Sequence, residues 1–599
     1  MTSSEIRSRF LEFFKKRGHA VIPSASLITT DEKGITNPTL FNTAGMQPLI
    51  PFLLGKKHEL GNRLVDVQKC LRTVDIDDIG DKTHATFFEM LGNWSLGDYF
   101  KEDAIQWSYE FLTSKEEGLG LDPRRLYITV FEGDSNAPED KEAANIWSGL
   151  FIKNKIEGER IFFMPASSNW WEAGENGPCG PDTEMYYDIA NRFSGKGITK
   201  EDFLDADSKR DVVEVWNDVF MQYEKKMGKI VGKLPNPSVD TGAGLERLAM
   251  TMQGVDNIYD TDLLKSTMEK IRGSSRKWDL KSARIVADHI KASVFLIADG
   301  VVPSNTDRGY VLRKLIRRAV RHSDLLGLSD NGQLDLVAGS VIDIYKDIYI
   351  EVLENKSVII DEILREEKKF RETLRLGLKE FERGVDAFTL FSSYGFPLEL
   401  TLELAKERGI EVDTKAFEEK FKAHQELSRA GAEQKFKGGL ADPKDEMVLR
   451  YHTATHLLHQ ALFDVLGEDV MQKGSNITAE RLRFDFSHGT KMTDEQKKRV
   501  EDIINEKIVA KMPVCQVTMP ISEAEKTGAK HFFGEKYGEQ ISIYFVGEDL
   551  GTAYSKEFCG GPHVDNTFIL AGPEGKWKFK IVKEEAVSQG IRRIKAVLQ

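Results

Sequence analysis

No single hydrophobic core can organise a chain of 599 residues. At roughly 100 to 200 residues per domain, that length calls for about three to five folding units. The apolar pattern changes along the chain and marks where they divide. Over the first 250 residues helix and strand signals mix. Ile6, Phe10, Phe13 and Phe14 recur at helical spacing, whereas Leu64 to Thr73 and Thr83 to Asn93 are extended segments around an acidic turn, Asp75 to Asp81. This predicts a β-hairpin inside an α+β domain. From about Asp262 to Glu433 the strand signals fade, and Ile359, Ile363, Phe370, Leu374, Leu378 and Phe381 mark an apolar stripe on a long charged helix. Lys435 to Lys444 is Gly/Lys-rich, has no apolar periodicity and contains Pro443, which predicts a hinge or linker. A second α+β domain follows, opening with a helix near Val448 to Leu466 and continuing in alternating segments such as Leu482 to Phe486 and Ile541 to Val546. There is no internal repeat and no low-complexity tract.

Composition narrows the class. With 40% apolar residues, 34 Phe and 8 Trp, the chain can build large cores and is not disordered as a whole. The net charge of -13 makes the average surface repel polyanions, so a nucleic-acid partner would need a local basic patch. The 4 cysteines, Cys70, Cys179, Cys515 and Cys559, show no Cys-x-x-Cys spacing, which argues against a disulfide scaffold and fits a reducing compartment. No apolar run follows Glu5, Arg7 and Arg9, and no stretch of about 18 apolar residues occurs. Secretion and membrane insertion are not expected, and the cytoplasm is the expected location.

In the second half, His452 and His456 stand four apart on an expected helix and therefore share a face. Cys559-Gly-Gly-Pro-His563 supplies a thiolate and an imidazole at the same spacing, with glycines that let the backbone wrap an ion. Either pair alone reads equally well as ordinary packed residues; together the four donors suit tetrahedral Zn²⁺. His459, one turn on, is expected at the helix surface. In the first half the usual phosphate devices are missing, both the Walker loop and the Gly-x-Gly-x-x-Gly turn. Arg72, closing the strand into the hairpin, and Arg247, after a Gly turn, are the candidates to hold a nucleotide, because a guanidinium binds phosphate bidentately or stacks on adenine. As isolated residues, both read equally as surface ion pairs. Arg308 to Arg321 (RGYVLRKLIRRAVR) carries six Lys or Arg and no acid, with Arg313, Arg317 and Arg321 on one stripe. That is a candidate RNA surface, or a solvated helix face.

The order of these motifs adds what none gives alone. Gln68 to Arg72 (QKCLR) is followed by His84 to Phe100 (HATFFEMLGNWSLGDYF), Asn169 to Gly174 (NWWEAG), Gly177 to Pro181 (GPCGP), Val215 to Gln222 (VWNDVFMQ), Val239 to Arg247 (VDTGAGLER), Asp299 to Arg313 (DGVVPSNTDRGYVLR), the two metal pairs and Gly590 to Ala596 (GIRRIKA). The series resembles the alanyl-tRNA synthetases, a family of class II aminoacyl-tRNA synthetases, over nearly the whole chain. The resemblance implies a multidomain α+β fold: an antiparallel-sheet catalytic domain (1–255), a helical tRNA-recognition domain (256–435), a linker (436–447) and an α+β zinc-containing editing domain (448–599). It implies ATP contacts at Arg72, His84, Phe87, Glu89 and Arg247, with Arg72 on the α-phosphate and Arg247 stacked on adenine. The alanine pocket is implied at Trp171, Asn217, Asp240 and Gly242. Asn305, Arg308, Arg313, Arg317 and Arg321 are implied to meet tRNA(Ala), Gln472 to line the editing pocket, and His452, His456, Cys559 and His563 to hold the zinc. The partners are then ATP with Mg²⁺, L-alanine and tRNA(Ala), with no membrane.

Three departures bear on these expectations. The family's Tyr-Asp-x-Tyr-Gly segment, whose Asp joins the Asn at position 305 in reading a G:U pair, is here Phe391-Ser-Ser-Tyr-Gly395, with Ser392 in place of the acid. Between Lys437 and Tyr451 the family normally places a β-barrel, for which about a dozen residues remain. The sequence stops at Gln599 without the coiled coil and globular domain that commonly dimerise the family, so a monomer with weaker RNA affinity is expected. The alternatives are a stand-alone hydrolase of mischarged tRNA with an inactive synthetase half, against which intact Arg72, Asn217, Asp240 and Arg247 argue, and an RNA-binding regulator. A class I synthetase is excluded, since His289-Ile-Lys-Ala is not that class's signature and no Lys-Met-Ser-Lys-Ser occurs.

Overall fold

The computed structural model describes residues 1–28, 39–74, 76, 78–172, 176–328, 334–422, 445–467, 470–530, 540–588 and 591–599. They form two compact units, Met1–Ile410 and Glu411–Gln599. Asp75, Asp77, Gly174, Gly590 and the expected linker up to Lys444 lie outside the described residues.

The first unit is built on a nine-stranded sheet. Its strands are β1 (Ala20–Val21), β2 (Arg63–Leu71), β3 (Phe87–Ser95), β4 (Leu126–Phe131), β5 (Ile161–Met164), β6 (Trp170–Glu172), β7 (Gly177–Asp188), β8 (Val212–Lys226) and β9 (Lys229–Gly244), in the order β1-β2-β3-β9-β8-β7-β4-β5 with β6 added beside β7. All pairs are antiparallel except β1 with β2 and β4 with β5. The expected hairpin is the β2/β3 pair, running without a bulge from Arg63 opposite Ser95 to Leu71 opposite Phe87.

One face of this sheet is closed by helices. Helix α1 (Ser3–Lys16) starts at a capping box in which the Thr2 hydroxyl accepts from Glu5 N and Glu5 accepts from Thr2 N. Its 3.6-residue period turns Ile6, Phe10, Phe13 and Phe14 inward. Phe10 and Phe14 meet Trp216 of β8 at centroid distances of 5.9 and 6.4 Å, and Phe111 of helix α2 (Lys101–Thr113) meets it at 5.5 Å. This aromatic cluster buries large apolar surface and fixes the sheet's inner side.

The helical remainder of the unit includes α3 (Leu245–Gln253), α4 (Leu280–Ala298), α5 (Asp307–Leu325) and α6 (Lys356–Glu382). On α6 the expected stripe is buried at Ile359, Ile363, Phe370, Leu374 and Phe381. Buried charges tie these helices to the hairpin. Arg7 of α1 donates from Nε to Glu89 at 2.9 Å, and the Tyr349 hydroxyl donates to the same carboxylate at 2.9 Å. Lys69 Nζ lies 3.0 Å from Asp299 and 2.5 Å from Glu351, Lys291 Nζ lies 2.7 Å from Glu246, and Asp288 accepts from Thr86 N at 2.7 Å.

In the second unit, helix α7 (Glu446–Leu466) is capped by Asp445, whose side chain accepts from Met447 N and Val448 N. It buries Tyr451, Ala454, Leu457, Leu458, Ala461 and Leu462 in a core shared with Leu482, Phe484, Phe486, Ile594 and Ala596. Those residues belong to an antiparallel sheet of four strands, β10 (Gln472–Ile477), β11 (Leu482–Ser487), β15 (Phe579–Ser588) and β16 (Ile591–Leu598), ordered β10-β11-β16-β15. A second sheet holds β12 (Val514–Pro520), β13 (Gln540–Val546) and β14 (Ser555–Phe558).

Removing one partner of a buried ion pair strands the other charge, a loss of about 3 to 5 kcal/mol. Glu89→Ala is therefore expected to lower the chemical denaturation midpoint of the first unit by that order, and Glu89→Leu combined with Arg7→Met by distinctly less.

Candidate functional site

Side chains alternate across a strand, so even positions of β3 leave the helix-packed face. Met90, Gly92 and Trp94 therefore share the open side with Asp66 of β2, which pairs with Gly92, and with Asp240 of β9, which pairs with Trp94. Asp240 also lies opposite Val219, and Gly242 opposite Asn217, which in turn faces Glu184. Asp240, Gly242 and Asn217 thus converge on one patch.

A Cβ on Gly92 would fall 2.3 Å from the Trp94 ring, so glycine is what lets that indole fold back over the strand. Trp94 Nε1 donates to Asp240 Oδ1 at 2.7 Å. Burial pushes the Asp240 carboxyl up to about 7; the Trp94 hydrogen bond opposes this and Asp218 behind it adds to it. Asn217 donates weakly to Glu184 at 3.4 Å, while its Oδ1 is buried with no hydrogen-bond partner. A buried acceptor left open beside a buried carboxylate matches a small cation-bearing ligand. A Cβ on Gly242 would approach Met90 Sδ to 3.1 Å, so the floor there is already full. Trp171 of β6, partly buried, packs at the edge of the cluster that contains Trp94, Met46 and Val219.

Arg72 follows β2 directly. It is exposed, donates from Nε to Thr43 O at 3.1 Å, and holds its guanidinium 5.1 Å from the Phe88 ring. Arg247 of α3 is paired with Glu214 Oε2 at 2.6 Å. Burial disfavours its charge, but Glu214 more than compensates and its pKa is raised. His84 Nδ1 bonds Asp81 at 2.6 Å; burial raises the Asp81 pKa but the His84 bonds outweigh it and bring it down to about 2. Two expected nucleotide contacts fall elsewhere. Phe87 is fully buried and stacks on Phe295 with centroids 3.8 Å apart, and Glu89 is fully buried against Arg7. Odd positions of β3 point into the helices, so neither presents surface to a ligand. Phe88, whose parity places it beside Arg72, was legible from the same alternation and was missed, as were Met90, Trp94 and Glu214.

In the basic stretch, Asn305 is exposed and its Oδ1 accepts from Arg313 Nη1. Arg308 donates to Leu40 O at 2.7 Å. Arg313 and Arg317 both reach Glu366 of α6, at 3.4 and 2.7 Å, with 14% and 12% of their side chains exposed. These two form a seam between α5 and α6 rather than an open cationic face. Arg321 is partly exposed.

In the second unit the four expected metal donors meet. One ligand atom from each of His452, His456, Cys559 and His563 lies within 4.8 Å of the others. Backbone and hydroxyl groups aim the rings: His452 Nδ1 donates to Pro562 O at 2.9 Å, and His563 Nδ1 lies 3.1 Å from Thr453 Oγ1. Their Nε2 atoms are thereby turned toward Cys559 Sγ, at 3.4 and 3.5 Å. Burial, and then the neighbouring imidazole, bring His452 down to about 3, so its ring is neutral, as a metal ligand must be. His459 is not at the helix surface: it is buried and bonds Glu557 at 3.0 Å, while Glu557 also lies 3.8 Å from His456 Nε2. Gln472 opens β10 opposite Phe486 and is partly exposed.

Comparison with known proteins agrees with this geometry. The family model described as tRNA synthetases class II (A) matches residues 5–487, and that for the threonyl and alanyl tRNA synthetase second additional domain matches 541–595. The alanine-tRNA ligase of Treponema denticola is 48% identical, covering 100% of this chain and 99% of the relative. The chain belongs to the alanine-tRNA ligase family. The relative from Borrelia hermsii is 47% identical with 100% of both chains covered, and one from Thermotoga is 37% identical with 100% of this chain and 80% of the relative covered. The family's multidomain α+β architecture is the one described above, and among the described residues no helix is long and apolar enough to cross a membrane.

The donor set is expected to bind one equivalent of Co²⁺ per chain with the intense visible bands of a tetrahedral site containing a thiolate. Cys559→Ser should abolish the thiolate charge-transfer band and weaken binding at least tenfold by competition with a chelator.

Proposed function

We propose that the chain attaches L-alanine to tRNA(Ala) and hydrolyses mischarged Ser-tRNA(Ala) and Gly-tRNA(Ala) in its second unit. The observation that carries the first part is the open sheet face on which the Asp240 carboxylate, the unpaired Asn217 Oδ1 and the filled floor at Gly242 adjoin. Asp240 and Asn217 take the α-ammonium of alanine, and the tight contact between Gly242 and Met90 leaves room for little more than a methyl group. The substrate carboxylate then attacks the α-phosphorus of ATP, which arrives with Mg²⁺, and pyrophosphate leaves. A carboxylate needs no base to be nucleophilic, so the protein's part is alignment and charge neutralisation. Arg72 serves the α-phosphate; Arg247, held by Glu214, and the Phe88 ring flank the adenine, with His84 at the rim of the same hairpin. The alanyl group passes next to the terminal adenosine of the tRNA.

Serine adds a hydroxyl and glycine lacks a methyl, differences worth only about 1 to 3 kcal/mol in such a pocket. A hydrolytic second site supplies the remaining accuracy. There His452, His456, Cys559 and His563 would hold Zn²⁺, which when bound supplies a Lewis acid and an anchor for the tRNA terminus. Thr453 and Pro562 O orient the ligand rings, and Gln472 lies at the start of the neighbouring sheet. The functional division follows 1–255 for aminoacylation, 256–435 for tRNA recognition through Asn305, Arg308 and Arg321, 436–447 as linker and 448–599 for editing. With Ser392 in place of the family acid, G:U readout rests on Asn305. A cytoplasmic monomer completes the reading.

Alanine-dependent exchange of pyrophosphate into ATP tests the first step. Asp240→Asn removes a charged hydrogen bond worth about 1.5 to 3 kcal/mol, so kcat/KM for alanine should fall roughly 10- to 100-fold. Loss of an electrostatic stabiliser such as Arg72 in Arg72→Ala should lower kcat by about 10²- to 10³-fold. Because the neutral Asp240 carboxyl cannot pair with an ammonium, and its pKa lies at about 7, kcat/KM for alanine should decline as pH falls below 7, approaching tenfold per unit. A flat profile between pH 5.5 and 8 would remove Asp240 from that role.

A further inference from the structure

The outer face of the four-stranded sheet in the second unit has a charge pattern that sheet packing does not explain. Leu482, Phe484, Phe486, Ile594, Ala596 and Leu598 point into the core, so the alternate residues of β11 and β16 point away from it. On that side Arg483 of β11 lies directly opposite Lys595 of β16, and Lys595 directly opposite Lys583 of β15. Three cations thus stand in one row across three strands, spanning about 10 Å at the usual strand spacing. Like charges directly opposite in a sheet are destabilising. The next row is mixed, Asp485 opposite Arg593 and Arg593 opposite Glu585.

Those two carboxylates do not balance the face. Asp485 is taken in a double hydrogen bond by Arg593 at 2.7 and 2.8 Å, and its contact with Arg483 is 3.6 Å long. Glu585 serves both Lys583, at 2.5 Å, and Lys595, at 3.4 Å. Arg481 adds a fifth cation beside the row, and its one neutral partner is Asn476, at 3.2 Å. Two guanidinium nitrogens, Arg481 Nη1 and Arg483 Nε, are buried with no acceptor among the described residues. Guanidinium donors left open beside an uncompensated row of positive charge, in a chain whose net charge is -13, call for an external anion.

We propose that this face is a platform for the phosphodiester backbone of the RNA substrate, with Arg481, Arg483, Lys595 and Lys583 contacting successive phosphates. The pattern carries no base-reading geometry, so the contact fixes position and contributes affinity without sequence preference. It rests on the reading of the second unit as acting on tRNA, and it supplies a grip that the composition of the whole surface does not.

The test is equilibrium binding of unacylated tRNA(Ala) to the full chain as a function of KCl, comparing the unaltered protein with Arg483→Gln/Lys595→Gln. Each lost phosphate contact on a single strand reduces the slope of log K against log salt by about 0.7. The double variant should show a slope shallower by about 1 to 2 and an affinity at least tenfold weaker at 0.1 M salt. An unchanged slope and affinity in a variant that melts at the unaltered temperature would overturn the platform. Should the double variant melt early, Lys583→Gln, whose side chain is 58% exposed, decides the matter with one contact's worth of slope. Hydrolysis of Ser-tRNA(Ala) by the unaltered chain is measured alongside: its absence removes the editing reading, while a shallower slope in the variants still establishes the RNA platform.

Discussion

The two-residue period of β3 and β9 is the constraint on which the first unit depends. A strand in a sheet covered on one side must divide its residues between core and solvent without exception along its length. Here the odd positions of β3 serve packing and buried charge, through Phe87 on Phe295 and Glu89 on Arg7. The even positions, Phe88, Met90, Gly92 and Trp94, floor the site. A one-residue slip would exchange the two sets and lose core and pocket together. The unbulged register from Arg63 to Leu71 and the aromatic cluster around Trp216 hold that choice in place.

The same economy explains the buried charges. Asp240 is kept in an apolar setting with Trp94 as its hydrogen-bond donor, so its carboxyl titrates near neutrality and is poised to gain from a cationic partner. Around it, Lys69, Lys291, Arg7 and their acids join the hairpin to the helices that follow. Such pairs bring little net stability but penalise any arrangement that separates them, which suits a hairpin that must end with Arg72 in a defined place.

Much of this was legible in the residues. The hairpin, the long α6 stripe, the helix bearing His452 and His456, and the meeting of both metal pairs follow from spacing, because period and donor type are local properties. What spacing could not supply was partner identity. Arg313 and Arg317 look like an open cationic stripe on their own helix, but Glu366 comes from a helix some fifty residues on and covers them. His459 looks solvent-facing until Glu557, about a hundred residues away, is brought beside it. Phe87 and Glu89 were misplaced for a different reason: the motif was taken as a block, whereas strand parity splits it between two faces.

The central claim is that an ammonium group binds beside a carboxyl that is half protonated in the free protein at neutral pH. Calorimetric titration of L-alanine into the protein at pH 7, in two buffers of different ionisation enthalpy, measures it directly. With the Asp240 pKa at about 7, binding should release about half a proton, and Asp240→Asn should release none. Binding with no proton released, or the same release from the variant, would contradict the account.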